Sequence, residues 1–185
     1  MKKILLLVLA LMLLCLPAWA AKAPKGGPAP VPSSQQIQIY QYPVVPCALS
    51  LPTDWTADID DNDVLYAQKN EEVAIMVWAN PKGMPFDSLS QLDERGKAAF
   101  TKQMKQEAAM DRANFKLDKE GFSTINNRTA YELEYSFKEQ DAKGDTYAHA
   151  IYVIKDRKLL IITGYCPYAI AEISALNKIM DQIGF

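Results

Sequence analysis

Between Arg128 and Tyr165 the apolar and polar positions follow two different rhythms. In Arg128–Lys138, Tyr131, Leu133, Tyr135 and Phe137 fall on one side, and Ala130, Glu132, Glu134 and Ser136 on the other. This is the period-two pattern of a strand with one face on a core. Leu159-Leu160-Ile161-Ile162 is apolar at every position, so the strand Lys158–Tyr165 belongs in the middle of a sheet, with matter packed on both faces. Thr146–Lys155 lies between them, and Asp156-Arg157 leaves a tight two-residue turn, although without the glycine that favours one. The three segments predict an antiparallel meander, which the rest of the chain must cover.

Upstream, Ile37-Gln-Ile39-Tyr alternates, but Pro43 and Pro46 interrupt it and confine it to a sheet edge. Cys47–Leu51 reads as a short strand ended by Pro52, with Trp55 anchoring the following turn on the core. Asp58–Asp63 is a polar loop. Val64–Gln68 and Val73–Ala79 form a strand pair, the second apolar on both faces, and Asn80-Pro81-Lys82-Gly83 breaks it. The stripe Leu89, Leu92, Gly96, Phe100, Met104 and Ala108 predicts a helix over Ser88–Arg112. Ser88 and Gln91 supply a capping box, and Gly96 suggests a close approach to the sheet. Phe115–Ile125 is a strand weakened by Gly121, and Asn126-Asn127 turns it into the meander. Ile170, Ile173, Leu176, Ile179, Met180 and Ile183 predict a closing helix over Tyr168–Ile183, stopped by Gly184. The fold class is α+β: an antiparallel sheet of about six or seven strands with helices on its faces.

The two ends of the organisation differ in kind. Lys2-Lys3, the apolar run Ile4–Leu16 and the small-residue site Ala18-Trp19-Ala20 form a secretory signal peptide over residues 1–20, cleaved after Ala20. Cys15 lies inside the apolar run behind Leu14, which argues against lipidation. Residues 21–36 are a proline-rich flexible tether with two adjacent glycines, and residues 37–185 make one domain. Removal of Lys2 and Lys3 leaves 18 basic against 22 acidic residues, a net charge of −4. A mildly acidic chain without basic clusters argues against nucleic acid as a partner. No second long apolar run follows, so the mature chain has no transmembrane segment and is expected in the bacterial periplasm.

Candidate chemistry is sparse. With Cys15 removed, Cys47 and Cys166 remain, and an even count in an oxidising compartment favours a disulfide. Such a bridge would close a loop of about 120 residues, worth roughly 4 to 5 kcal/mol in the chain-entropy model; two buried thiols are the alternative. Asp58, Asp60, Asp61 and Asp63 are the only metal candidates. As a calcium loop the segment fails, because position six is Asp63 instead of Gly and position twelve Lys69 instead of Glu. His149, the single histidine, stands mid-strand without His or Cys partners, so a zinc site or catalytic base is not indicated. Cys166-Pro-Tyr168 lacks a second cysteine for redox chemistry, and Asn127-Arg-Thr129 is a glycosylation sequon by pattern alone. Tyr131, Tyr135, Tyr147, Tyr152 and Tyr165 crowd the meander, as core edge or, if some line an uncovered groove, as a site for a peptide or small apolar ligand.

The joints of this order carry a resemblance. Leu49, Leu51, Pro52 and Trp55 make a short strand running into a Pro and a turn Trp. Ala130–Tyr135 has an aromatic–acid–aromatic rhythm, and Lys158–Tyr165 is followed by a helix over Ala169–Ile183. In these features the chain resembles, over about residues 45 to 185, the PsbP-like superfamily of photosystem II PsbP, Ran-binding Mog-type and DcrB-like exported bacterial proteins. The resemblance implies an α/β/α sandwich and an accessory or binding role, not an enzyme, with no cofactor. The partner would be an unidentified periplasmic or membrane-complex protein. The alternative is a small-ligand or divalent-metal carrier using the tyrosine-rich sheet or the acidic loop 58–63.

Overall fold

Residues 36–139 and 144–185 are described by a computed structural model. The expected signal peptide, and the expected tether up to its last residue, lie outside them. The alternation in the meander becomes three long antiparallel strands: β7 (Arg128–Lys138), β8 (Asp145–Lys155) and β9 (Lys158–Pro167). They are joined in order of sequence to β6 (Ala113–Ile125) on one side. On the other side β9 pairs with β5 (Ala74–Gly83), which continues through β4 (Leu65–Gln68) to β3 (Thr56–Ile59). The result is a seven-stranded antiparallel sheet in the order β3-β4-β5-β9-β8-β7-β6. β9 is central, as its two-faced apolarity requires. β1 (Ile37–Tyr42) and β2 (Cys47–Pro52) leave this sheet and pair with each other as a separate two-stranded ribbon.

The tight turns are set locally. Asn126, Asn127, Asp156 and Arg157 all have positive φ, the geometry of two-residue hairpin turns whose twist matches that of the strands. Asn80–Gly83, read from the sequence as a break, instead extends β5. The register shifts between Ala79 and Gly83, and the irregularity accommodates Pro81. β3 takes up Asp58 and Ile59 from the segment read as loop.

Two cores lie on opposite faces of the sheet. Helix α1 (Glu94–Ala109) puts Phe100, Met104 and Ala108 onto Tyr131, Leu133, Tyr135, Tyr152 and Ile161. Leu89, in the 3-10 turn Leu89–Gln91, joins them. On the other face, helix α2 (Ile170–Met180) puts Leu176, Ile179 and Met180 onto Ile151, Val153, Leu160 and Ile162. The β1–β2 hairpin shares that face through Tyr42, Leu49 and Leu51. The expected α+β sandwich is present, with the hairpin completing its second cover.

Both helices begin later than the sequence suggests. Ser88 caps only the 3-10 turn, accepting from Ser90 N–H at 3.2 Å. Asp93 caps α1, accepting from Gly96 N–H at 2.7 Å. A Cβ on Gly96 would lie 3.0 Å from that Asp93 oxygen; the glycine makes room for the cap, not for the sheet. Ile170, counted in the apolar stripe of α2, is 90% exposed. The close approach occurs instead at Gly164 in β9, where a Cβ would stand 2.8 Å from Leu176.

Candidate functional site

The polar side of β7 does not face open solvent. Glu132 and Glu134 are half-buried on the face that carries α2, and antiparallel register sets His149 of β8 opposite Glu134. His149 is only 3% exposed. Its Nε2 lies 2.9 Å from Glu132 Oε2 and its Nδ1 3.0 Å from Asn177 Oδ1 of α2. Tyr147 donates to Glu134 Oε2 at 2.7 Å, and Lys119 of β6 donates to Glu134 Oε1 at 2.8 Å.

The order of donors follows from this geometry. Tyr147 spends its one proton on Glu134, so its oxygen accepts from Asn177 Nδ2 at 3.2 Å. That orientation turns Asn177 Oδ1 toward His149, whose Nδ1 therefore donates. With Glu132 on the other ring nitrogen, both ends of the ring are engaged. Hydrogen bonding from His149 holds the Glu132 carboxyl below the usual range, against its burial. Burial pushes Glu134 upward, but the bonds from Lys119 and Tyr147 outweigh it and leave its carboxyl lowered. Burial, reinforced by Glu134, raises the Tyr147 phenol. Every ring nitrogen and most carboxylate oxygens in the network are occupied. Its chemistry is to fasten α2 to β6, β7 and β8, and the histidine offers no unengaged base.

The other sequence candidates are scattered. Asp60 accepts from the N–H groups of Asn62 and Val64, both at 2.9 Å, and Asp58 from Ile59 N–H at 2.8 Å. The acidic loop thus turns carboxylates onto its own amides. Among the described residues no group of three or more His, Cys, Asp or Glu side chains is placed to hold a metal ion.

Cys47 and Cys166 are buried free thiols, which corrects the expected disulfide. Lys155, paired with Lys158, donates to the Pro46 carbonyl at 2.6 Å, so Cys47 lies at the β8–β9 turn. Cys166 is at the far end of β9, about 26 Å along the strand from Lys158 at ~3.3 Å per residue. A bridge needs Cα atoms within about 7 Å. Desolvation pushes both thiols up to about 12.

The tyrosines divide. Tyr131, Tyr135 and Tyr152 are core beneath α1, and Arg112 lies over the rings of Tyr135 and Phe137 at 5.4 and 5.1 Å. Tyr165 differs: it is half-buried, on the same face as Tyr66, Met76 and Trp78. Register places these four on adjoining strands, with Tyr66 opposite Met76, Met76 opposite Thr163 and Trp78 opposite Ile161. Phe100 seats α1 over Tyr131 and Tyr152; Trp78 and Tyr165 pack partly buried against that same core, with Tyr66 and Met76 half-buried beside them on β4 and β5. Sequence reading missed Tyr66 and Met76, although alternation in both strands could have put them on one face. Elsewhere, a depression of about 460 Å³ is lined by Ser88, Ser90, Asn126, Asn127, Arg128, Thr129 and Phe185. It includes the sequon residues but lacks the apolar walls that hold a small apolar ligand.

No protein-family model matches the chain, and no curated protein matches it by sequence. Solved structures do match. The solution structure of cyanobacterial PsbP (CyanoP) from Synechocystis sp. PCC 6803 aligns with a TM-score of 0.57 at 12% identity, covering 85% of this chain and 97% of that one. The Saccharomyces cerevisiae Ran-binding protein Mog1p aligns with a TM-score of 0.52 at 9% identity, covering 82% and 96%. The chain therefore has a PsbP-like fold.

Proposed function

We propose that the protein is exported to the periplasm and acts there as a non-enzymatic accessory or binding protein, through contact with another protein. The row Tyr66, Met76, Trp78 and Tyr165 carries this reading: four half-buried aromatic and thioether side chains side by side on one sheet face, of which Tyr66 and Met76 stand outside the core beneath α1. Rigid aromatics and an adaptable Met side by side on a sheet face suit an apolar segment of a protein partner. The secretory pattern of residues 1–20 supports the compartment. Mog1p, which shares the fold, is a protein that binds a protein.

The test is affinity capture from a periplasmic extract, comparing the wild type with Met76→Lys. The wild type recovers one partner in stoichiometric amount, and the variant loses it at an unchanged melting temperature. Equal recovery by the variant would remove the sheet face from the proposal; recovery of no partner, alongside a demonstrated turnover activity, would remove the function. Export is read separately, as a mature N-terminus at Ala21 by mass spectrometry of the periplasmic fraction.

A further inference from the structure

The β1–β2 hairpin has one edge closed and one open. On the β2 side Gly184 forms a bridge, with Ala48 N–H to Gly184 O and Gly184 N–H to Ala48 O both at 2.9 Å. On the β1 side no strand follows among the described residues. Thr53 N–H donates to Gln36 O, which sets the phase of the antiparallel ladder. Gln38, Tyr40 and Tyr42 bond across to β2, whereas the amides and carbonyls of Ile37, Ile39 and Gln41 point outward. Pro52, which has no N–H to give, stands opposite Ile37 in agreement with that phase.

The open edges of the main sheet carry the usual defences against pairing. β6 has charged Lys116, Asp118, Lys119 and Glu120 and two register shifts; β3 is four residues long and includes Asp58. β1, Ile37-Gln-Ile-Tyr-Gln-Tyr42, has no charge, no proline and no bulge. Its outward side chains Ile37 and Ile39 are 59% and 65% exposed, among the most exposed large apolar residues of the fold.

We propose that β1 is a self-association edge, pairing antiparallel with β1 of a second copy about a two-fold axis at Ile39. That register sets Ile39 opposite Ile39 and Ile37 opposite Gln41, and it uses every outward amide and carbonyl of the three residues. A two-fold strand pair brings each central side chain against its own kind, so any charge there would repel. The charge-free strand meets that condition in a chain that is net acidic. A second copy is therefore the occupant its chemistry fits. One strand pair buries less than the about 1,200 Å² of a standard stable interface, so the dimer is weak and depends on concentration. This surface is on the opposite cover from the row proposed above and stands apart from that reading.

Sedimentation equilibrium of the exported protein purified from periplasm tests it. The wild type moves from monomer toward dimer as concentration rises, and the Ile37, Ile39 and Gln41 amides become protected from hydrogen exchange. Ile39→Pro stays monomeric at an unchanged melting temperature, because the lost N–H does not bond to β2. Ile39→Lys, which keeps the backbone intact, also stays monomeric. A wild type that is monomeric throughout, or a dimer that survives Ile39→Lys, overturns the proposal.

Discussion

Replacing Gly164 by alanine tests how closely α2 is seated on the sheet. The added Cβ would lie 2.8 Å from Leu176 Cδ1, 3.1 Å from Met180 Sδ and 3.2 Å from Leu176 Cδ2. Leu176 and Met180 are 1% and 0% exposed, so neither has an empty volume to turn into, and the helix must lift. Lifting also stretches the bonds that Asn177, the next residue on α2, makes to His149 and Tyr147. Overpacking of this kind costs about 1–3 kcal/mol. For a domain of this size each kcal/mol lowers the melting temperature by about 2–4 °C, which gives a drop of roughly 2–12 °C in a thermal melt followed by circular dichroism. Gly121→Ala is the control, since nothing lies within 4 Å of its Cβ. There the loss of unfolded-state freedom should stabilise by about 0.4–1 kcal/mol. The two glycines thus move in opposite directions. Adding Leu176→Ala to Gly164→Ala should cost less than adding it to the wild type, because the overlap is relieved. An unchanged melting temperature for Gly164→Ala, or equal losses at both glycines, would show that α2 is not held as described.

Three further outcomes follow from the polar network and the thiols. Asn177→Ala should destabilise by about 1–3 kcal/mol by leaving His149 Nδ1 and Tyr147 short of partners, measured by urea denaturation. Glu132 and Glu134 are both lowered by their partners, so their contribution is complete above the ordinary carboxylate pKa and is lost as pH falls through the lowered values. Melting temperature should therefore fall on acidification below about pH 4.5, and Glu132→Gln should flatten part of that fall; a pH-independent melt would contradict the network. Cys47 and Cys166 should be silent to a thiol reagent in the native protein and both react in denaturant, with the same melting temperature with and without reductant; a count of no thiols in denaturant would restore the bridge.

The sheet centre was legible because its signals are local. Alternation in β7 and the two-faced apolarity of β9 each follow from the residues of one strand, and the turns at Asn126–Asn127 and Asp156–Arg157 are each set by the two residues that make them. What failed depended on neighbours from elsewhere. Ser88 and Gln91 each cap a nearby amide, Ser88 accepting from Ser90 N–H at 3.2 Å and Gln91 from Asp87 N–H at 2.9 Å, but not each other's as a capping box requires. Asp93 then offers a second cap that no local rule ranks against the first. Glu132 and Glu134 look like a solvated face until β6 supplies Lys119 and α2 supplies Asn177. Cysteine parity counts thiols but carries no distance, and these two stand near opposite ends of β9. The row on β4, β5 and β9 comes together only through the β4–β5 and β5–β9 pairings, which the pattern of no single strand carries.

The strand order also has a kinetic meaning. β3–β4–β5 and β6–β7–β8–β9 are two runs of sequence-adjacent hairpins, and the sheet is continuous only through the β5–β9 ladder from Ala74–Tyr165 to Gly83–Lys158. Each run closes small loops, whereas the ladder between them must bring together segments separated by α1 and three strands. Loop-closure entropy therefore concentrates in one step of folding. Until Val77 meets Ile162, both runs expose an unpaired edge made of their most apolar strand. The centre of the finished sheet is thus the last edge to be protected, and it is there that an incompletely folded chain would stick to others.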